Sequence, residues 1–301
     1  MSFRSIIDDP ANDLAFIVGN GINRYRENPD AISWDNLLLR LWQRFAPDVF
    51  NTVPKGITIT EFYDLLDLAN EGRPNATFEI QKEAAHLLEA SSYQCHHQAF
   101  MQRARALNAP VLTTNFDLIL PDSLGLASYT TDRQHFTDFY PWTTYFGEEQ
   151  FQSPANGFGV WYINGLIKYP RSIRLGLSHY MGSLTKARNY IHRGSEARLF
   201  NGKDQAFWPG YLTWLHIIFN KDLCMFGLGL EENEVFIRWL LIERAKYFKK
   251  FPERKKAGWY VAPRIEQPDD RIKGKIYFLK SIGFELIETR DYDEIYTGAW
   301  Q

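Results

Sequence analysis

The chain has 301 residues, 45% hydrophobic and 23% charged, which are ordinary globular values and exclude a disordered chain. Its formal net charge of −2 gives no global attraction to nucleic acid or to acidic membranes. Two cysteines, Cys95 and Cys224, cannot build a four-thiolate zinc site, and so few suit a reducing compartment.

The amino-terminal stretch MSFRSIIDDPANDLAF breaks its apolar positions with Asp8, Asp9 and Asp13, unlike a signal peptide. No uncharged run approaches the length of a membrane span, so a soluble, cytoplasmic protein is expected. LAFIVGNG (14–21) is a short apolar run that ends in a glycine-bounded turn, the pattern of a strand buried on both faces. SWDNLLLRLWQRF follows, with Ser33 placed as an N-cap and Leu37, Leu38, Leu41, Trp42 and Phe45 at helical spacing. Strand, glycine turn and helix in this order open a nucleotide-binding α/β fold.

From Ile59 to Leu107 three amphipathic segments, TEFYDLLDLANE, ATFEIQKEAAHLLEAS and HHQAFMQRARAL, follow one another with no strand between them. Residues 50–107 are therefore expected to form a helical insertion, a smaller subdomain within a single domain spanning 1–301. Strands resume at APVLTTNFD (109–117), GVWYING (159–165), LCMFGLG (223–229) and GWYVAP (258–263), and IKGKIYFLKSIGFELIET closes with a helix and a strand. This alternation predicts an α/β protein with a mostly parallel, doubly wound sheet. No internal repeat and no low-complexity segment interrupts it.

In open α/β sheets, ligands bind beyond the carboxyl ends of the strands, where this sequence places GNGINR, TTNFD, ING and GLGLEENE. Gly19, Asn20 and Gly21 allow close backbone approach to a phosphate, although Asn-Gly is also an ordinary turn. Thr113, Thr114, Asn115 and Asp117 put four hydrogen-bonding side chains directly after an apolar strand. A turn that caps the next helix would account for part of that cluster. Gly227 and Gly229 precede Glu231, Glu232 and Asn233, which suit the amino end of a helix but would repel a phosphate there.

Taken in order, FIVGNGINR, TTNFD, WYINGLIKYPRSIRLGLSHY and MFGLGLEENEVFIRWLL resemble the sirtuin superfamily, in particular the sirtuin-like domains of bacterial anti-phage defence proteins. FLKSIGFELIETRDYDEIY is similar to the closing part of that family, and the resemblance covers residues 14–47 and 109–296. It implies a Rossmann-like sheet that binds NAD and, in many bacterial members, hydrolyses it to nicotinamide and ADP-ribose. It implies further that Gly19, Asn20, Gly21 and Asn23, with Thr113, Thr114, Gly227 and Gly229, surround the dinucleotide. Asn115 would hold the nicotinamide ribose and the attacking water, with Asp117 in support. The four-cysteine zinc module of the deacetylases cannot be made here, so no zinc and no deacetylation are expected.

The family's motif at ING carries His before the Gly, as general base; this chain carries Asn164. Imidazole titrates near neutrality, whereas an amide forms hydrogen bonds but accepts no proton. Losing general-base help costs about 10²–10⁴-fold, so NAD hydrolysis is expected to be weakened or abolished. A non-catalytic NAD or nucleotide-binding subunit is the alternative. His179, expected on the next strand, either reaches the site or is a satisfied structural histidine.

RAKYFKKFPERKK (244–256) reads as a solvated helix end with Tyr247, Phe248 and Phe251 in the core, so direct nucleic-acid contact is not expected. HFTDFYPWTTYFGEEQF (135–151) is dense in aromatic residues and is read as core by default, with a pocket wall, a lid or a subunit contact as alternatives. His96 and His97, adjacent on a helix, should face different ways and make a poor metal pair. A homo-oligomer or a partner protein of a defence complex is the expected assembly, with no membrane.

Overall fold

The computed structural model describes residues 1–28, 31–46, 50–89, 91–193, 198–202 and 207–301. In chain order its helices are α1 (Phe3–Asp8), α2 (Trp34–Phe45), α3 (Ile59–Ala69), α4 (Ala76–Glu89), α5 (Cys95–Ala106), α6 (Ile119–Asp122), α7 (Leu177–His192), α8 (Leu215–Asn220), α9 (Val235–Lys250), α10 (Asp270–Ser281) and α11 (Tyr292–Tyr296). Its strands are β1 (Leu14–Val18), β2 (Val111–Thr113), β3 (Ala127–Thr130), β4 (Thr144–Gly147), β5 (Gly159–Tyr162), β6 (Asp222–Phe226), β7 (Gly258–Pro263) and β8 (Glu285–Thr289).

The strands form one eight-stranded sheet in the order β3-β4-β5-β2-β1-β6-β7-β8. The six strands from β5 to β8 run parallel, and β4 and β3 add an antiparallel edge. The order is compatible with a Rossmann-like sheet. β1 lies between β2 and β6, with Phe16 opposite both Val111 and Cys224. All five of its residues are buried, as the unbroken apolar run requires.

Alternation along the strands divides the core. Ala15, Ile17, Leu112, Trp161, Leu223 and Met225 face a cluster built with α7, α8, α9 and α10. Leu14, Phe16, Val18, Val111, Val160 and Phe226 face the opposite cluster, built with α1, α5 and α11. Each fully buried Phe, Ile, Leu or Val contributes about 1.5–3 kcal/mol relative to exposure, so both faces need helical cover.

A third cluster joins α2, α3 and α4 through Leu38, Leu41, Trp42, Phe62, Leu66 and Ile80, and reaches Phe116, Ile173 and Leu175. Residues 50–107 thus divide between two cores. Helix α2, outside those bounds, belongs to this satellite core, whereas α5 packs on the sheet through Phe100, Met101 and Ala104. Ser33 and Thr58 cap α2 and α3 by accepting from Asn36 N and Glu61 N. Helix α4 ends at Glu89, and Ala90, within the expected helical run, lies outside the described residues.

Candidate functional site

The loops after β1 and β6 are packed on one another. Gly19 N donates to Phe226 O at 3.1 Å, and Gly21 N donates to Gly227 O at 2.7 Å. A Cβ on Gly19 would stand 2.5 Å from Gly227 O, and one on Gly21 would stand 2.9 Å from Gly227 Cα and would overlap the Tyr296 hydroxyl. Gly227 itself has φ +72°, a backbone region in which side chains are disfavoured. Close approach at Gly19, Gly21 and Gly227 is therefore approach of loop to loop, and the amides of Gly19 and Gly21 are occupied by it. Asn20 points elsewhere, and its Nδ2 donates to Ile32 O at 3.0 Å.

In the loop after β2, Thr113 Oγ1 donates to Val18 O at 3.0 Å and accepts from Asn115 N at 3.1 Å. Asp117 Oδ1 accepts from Ile119 N at 3.1 Å, so the helix-capping alternative accounts for that oxygen. It does not account for Asn115. That side chain is 6% exposed, and its Nδ2 has no hydrogen-bond partner among the described residues. A buried amide in that position costs about 1–3 kcal/mol unless something occupies it. Asn115 lines a chamber of about 20 Å³ together with Asn20, Trp34, Thr114 and Asp117, space for one water molecule. Burial pushes the Asp117 carboxyl up to about 6, against the lowering by the Ile119 and Asn23 donors.

Next to it opens a cleft of about 220 Å³, lined by Trp34, Ile59, Thr60, Thr114, Asn164, Tyr180, Gly229, Glu231, Asn233, Glu234, Phe236 and Ile237. Trp34 and Thr114 border both spaces. Asn164 is half-buried; its Nδ2 makes a long contact, 3.4 Å, to Thr114 O, and its carbonyl accepts from Arg174 N at 3.0 Å. The following Gly165 has φ +98° and turns the chain back against Ser172. Asn164 is thus both part of the bend that follows β5 and a wall of the cleft. Glu231 is paired with Lys275 at 2.8 Å and with Arg271 at 3.1 Å. Among the described residues Glu234 makes no ion pair, and burial, with the Glu231 charge, raises its carboxyl above the ordinary range against the Glu231 amide donor and the Lys275 and Arg238 charges.

Of the residues singled out in the sequence, Asn20, Thr114, Asn115, Asp117, Asn164 and Gly229 converge on the two spaces. Gly19, Gly21, Gly227, Thr113 and Asn23 lie behind them. Asn23 is buried and donates to Asp117 Oδ2 at 2.8 Å. Trp34, Tyr180 and Glu234 escaped the sequence reading. Trp34 carried a signal, as the large aromatic directly after the N-cap Ser33, at the mouth of the first βα unit.

His179 is on the first turn of α7 rather than on a strand. Its Nδ1 faces the amides of Leu175 and Gly176 at 3.3 and 3.4 Å, the part of a structural cap, and it does not border the cleft. The expectation that His96 and His97 face different ways is corrected too: their rings lie 4.0 Å apart, both buried, with His96 directed to Ile22 O and His97 to Asn23 Oδ1. In the basic run, Tyr247 and Phe248 are core as expected, but Arg244 is buried rather than solvated. The aromatic stretch 135–151 contains β4, whose Tyr145 stacks on Trp161 at 4.6 Å.

Among the described residues no group of three or more His, Cys, Asp or Glu could hold a metal ion. Among them, too, no helix is long and apolar enough to cross a membrane. No protein-family model matches the sequence, and no curated protein is significantly similar to it.

Proposed function

We propose that the chain is a sirtuin-like domain on a doubly wound, Rossmann-like sheet. It binds NAD in the cleft beside Asn164 and retains a weakened capacity to hydrolyse it: NAD⁺ and water give nicotinamide, ADP-ribose and a proton. The observation that carries the reading is Asn115, a buried side chain with an unpartnered Nδ2 that borders a water-sized chamber sharing Trp34 and Thr114 with a larger cleft. A side chain so placed can fix one water against a ribose in the adjoining space. Asp117 supplies negative charge where the oxocarbenium-like transition state develops positive charge. The leaving group, nicotinamide, is already activated by its cationic ring.

In this reading Asn20 and Gly229 border the dinucleotide, Gly19, Gly21 and Gly227 hold the turns behind it, and Asn164 binds the ribose hydroxyls without removing a proton. The setting is cytoplasmic anti-phage defence, with self-assembly or a partner protein supplying regulation. A second reading, a non-catalytic NAD-binding subunit, is favoured by the cleft itself, since no imidazole lines it among the described residues.

The deciding experiment is nicotinamide release from NAD, followed by chromatography, for this protein beside Asn164→His, with NAD affinity by calorimetry. The enzymatic reading expects the His variant to be about 10²–10⁴-fold faster at similar affinity. NAD bound equally by both with no turnover by either selects the binding subunit. Absence of NAD binding in both overturns the two readings together.

A further inference from the structure

We propose that His97 is a positioning residue of this site, holding Asp117 through Asn23 as an ionised carboxylate beside Asn115. The inference rests on the reading above for what Asp117 does, while its geometry requires no nucleotide.

The argument starts from a main-chain amide, whose proton has a fixed place. Gln94 N donates to His97 Nδ1 at 3.0 Å, so Nδ1 carries a lone pair and the ring proton is on Nε2. A doubly protonated ring would turn a second N–H against that amide, so the ring is neutral. Burial, with the neighbouring His96 ring next, lowers its basicity in the same sense, down to about 3. His97 Nε2 lies 3.1 Å from Asn23 Oδ1 and therefore donates to it. With the oxygen of its amide fixed by that donor, Asn23 must present its NH₂ to Asp117 Oδ2 at 2.8 Å. The other Asp117 oxygen accepts from Ile119 N. Both oxygens thus meet donors, an arrangement suited to a carboxylate and not to a carboxylic acid.

An amide is symmetrical enough in shape to sit either way round, so Asn23 alone specifies nothing. The ring proton of His97 breaks that symmetry. Without it Asn23 could present its oxygen to Asp117, which would then have to carry a proton. The remaining groups around the pair do not substitute for this. Burial and the Asp122 charge oppose ionisation of Asp117, and the Tyr162 hydroxyl donates to its main-chain carbonyl rather than to the carboxylate. His96 is directed to Ile22 O at 2.7 Å, and burial, with the Arg26 charge adding to it, opposes its protonation.

The test is the titration of Asp117 in the full chain without nucleotide, followed by carboxyl-carbon NMR and assigned by Asp117→Asn. His97→Leu removes the donor and should raise the midpoint by about one unit, the effect of a lost charge-assisted hydrogen bond. His97→Gln, whose amide nitrogen can stand where Nε2 stood, should stay within about half a unit of the parent. An unchanged midpoint in folded His97→Leu overturns the proposal, because a merely structural histidine would alter stability and leave the titration alone. Ring-nitrogen NMR of the unaltered protein gives a second check that needs no variant: a proton on Nδ1 instead of Nε2 also overturns it. None of these readouts involves NAD, so their failure is separate from failure of the proposed activity.

Discussion

Arg244 sits at the start of the most basic run in the sequence, yet it is 2% exposed. Its Nε donates to Ile218 O at 2.8 Å, and its Nη2 donates to Ala257 O at 2.8 Å and, at 3.2 and 3.3 Å, to the carbonyls of Lys221 and Lys256. The guanidinium thereby ties α9 to the end of α8 and to the lead-ins of β6 and β7, and it lies over the rings of Phe248 and Phe284 at 4.6 and 5.3 Å. Burial lowers its pKa to about 9, and the Asp222 charge works the other way. Replacing it by Met keeps an unbranched apolar side chain against the two rings but removes every donor. The two 2.8 Å bonds represent about 3–6 kcal/mol at the usual worth of charged hydrogen bonds. Relief from burying a cation returns part of that, which leaves a net loss of about 2–4 kcal/mol. At roughly 2–4 °C per kcal/mol for a chain of this size, Arg244→Met should lower Tm by about 5–15 °C in scanning calorimetry. Arg244→Lys should recover little, since one ammonium cannot reach carbonyls on three segments. A Tm within about 2 °C of the parent for the Met variant would refute the reasoning and show that the apolar packing alone holds these segments.

Gly21→Ala drives a methyl against the Gly227 backbone and should cost about 1–3 kcal/mol. Gly274→Ala, in α10 with open space around the new Cβ, should instead stabilise by up to about 1 kcal/mol; urea denaturation reads both. Burial holds His97 and His216 neutral, with pKa values down to about 3 and about 4. Because the unfolded chain takes up these protons near pH 6.5, their contribution is complete above that pH and is lost as pH falls towards 4, about 2 kcal/mol each by pH 5. Asp117, raised to about 6, shifts stability in the opposite direction and offsets about 1 kcal/mol of this over the same interval. The urea midpoint should therefore be clearly lower at pH 5 than at pH 7.5, and an unchanged midpoint would contradict neutral burial. Cys95 is exposed and Cys224 buried, with its thiol pushed well above its usual range, so a thiol reagent should label one site in the native protein and two in denaturant.

The central strands were legible because burial on both faces leaves an apolar run with no alternation, as in LAFIV and the LCMF of β6. β3 and β4 were not, since ASYT is half-exposed and the aromatic residues around TYFG serve packing against β5 as well as any pocket wall. The α7 segment escaped for a different reason: Gly182 and several polar residues blur its apolar face, of which only Ser183, Ala187 and Ile191 are buried. At the site, the rule that ligands gather at strand ends found Asn20, Thr114, Asn115, Asp117, Asn164 and Gly229. It could not separate residues that face a cavity from those that hold one loop against another, because both tasks select small and polar side chains. Nor could it find Trp34 or His97, the partner of Asn23, which come from helices brought in by tertiary packing.

The two meshed glycine turns make the carboxyl ends of β1 and β6 behave as one stiff ledge: displacing either would break the Gly21–Gly227 bond and crowd the other. The opposite side of the chamber is different in kind. Trp34 stands on α2, whose hydrophobic support is the satellite core shared with α3 and α4 and not the sheet. A small tilt of that helical unit would widen the passage between chamber and cleft without disturbing a single strand pairing. The sheet frames one side of this site, and a helical unit with its own hydrophobic support frames the other.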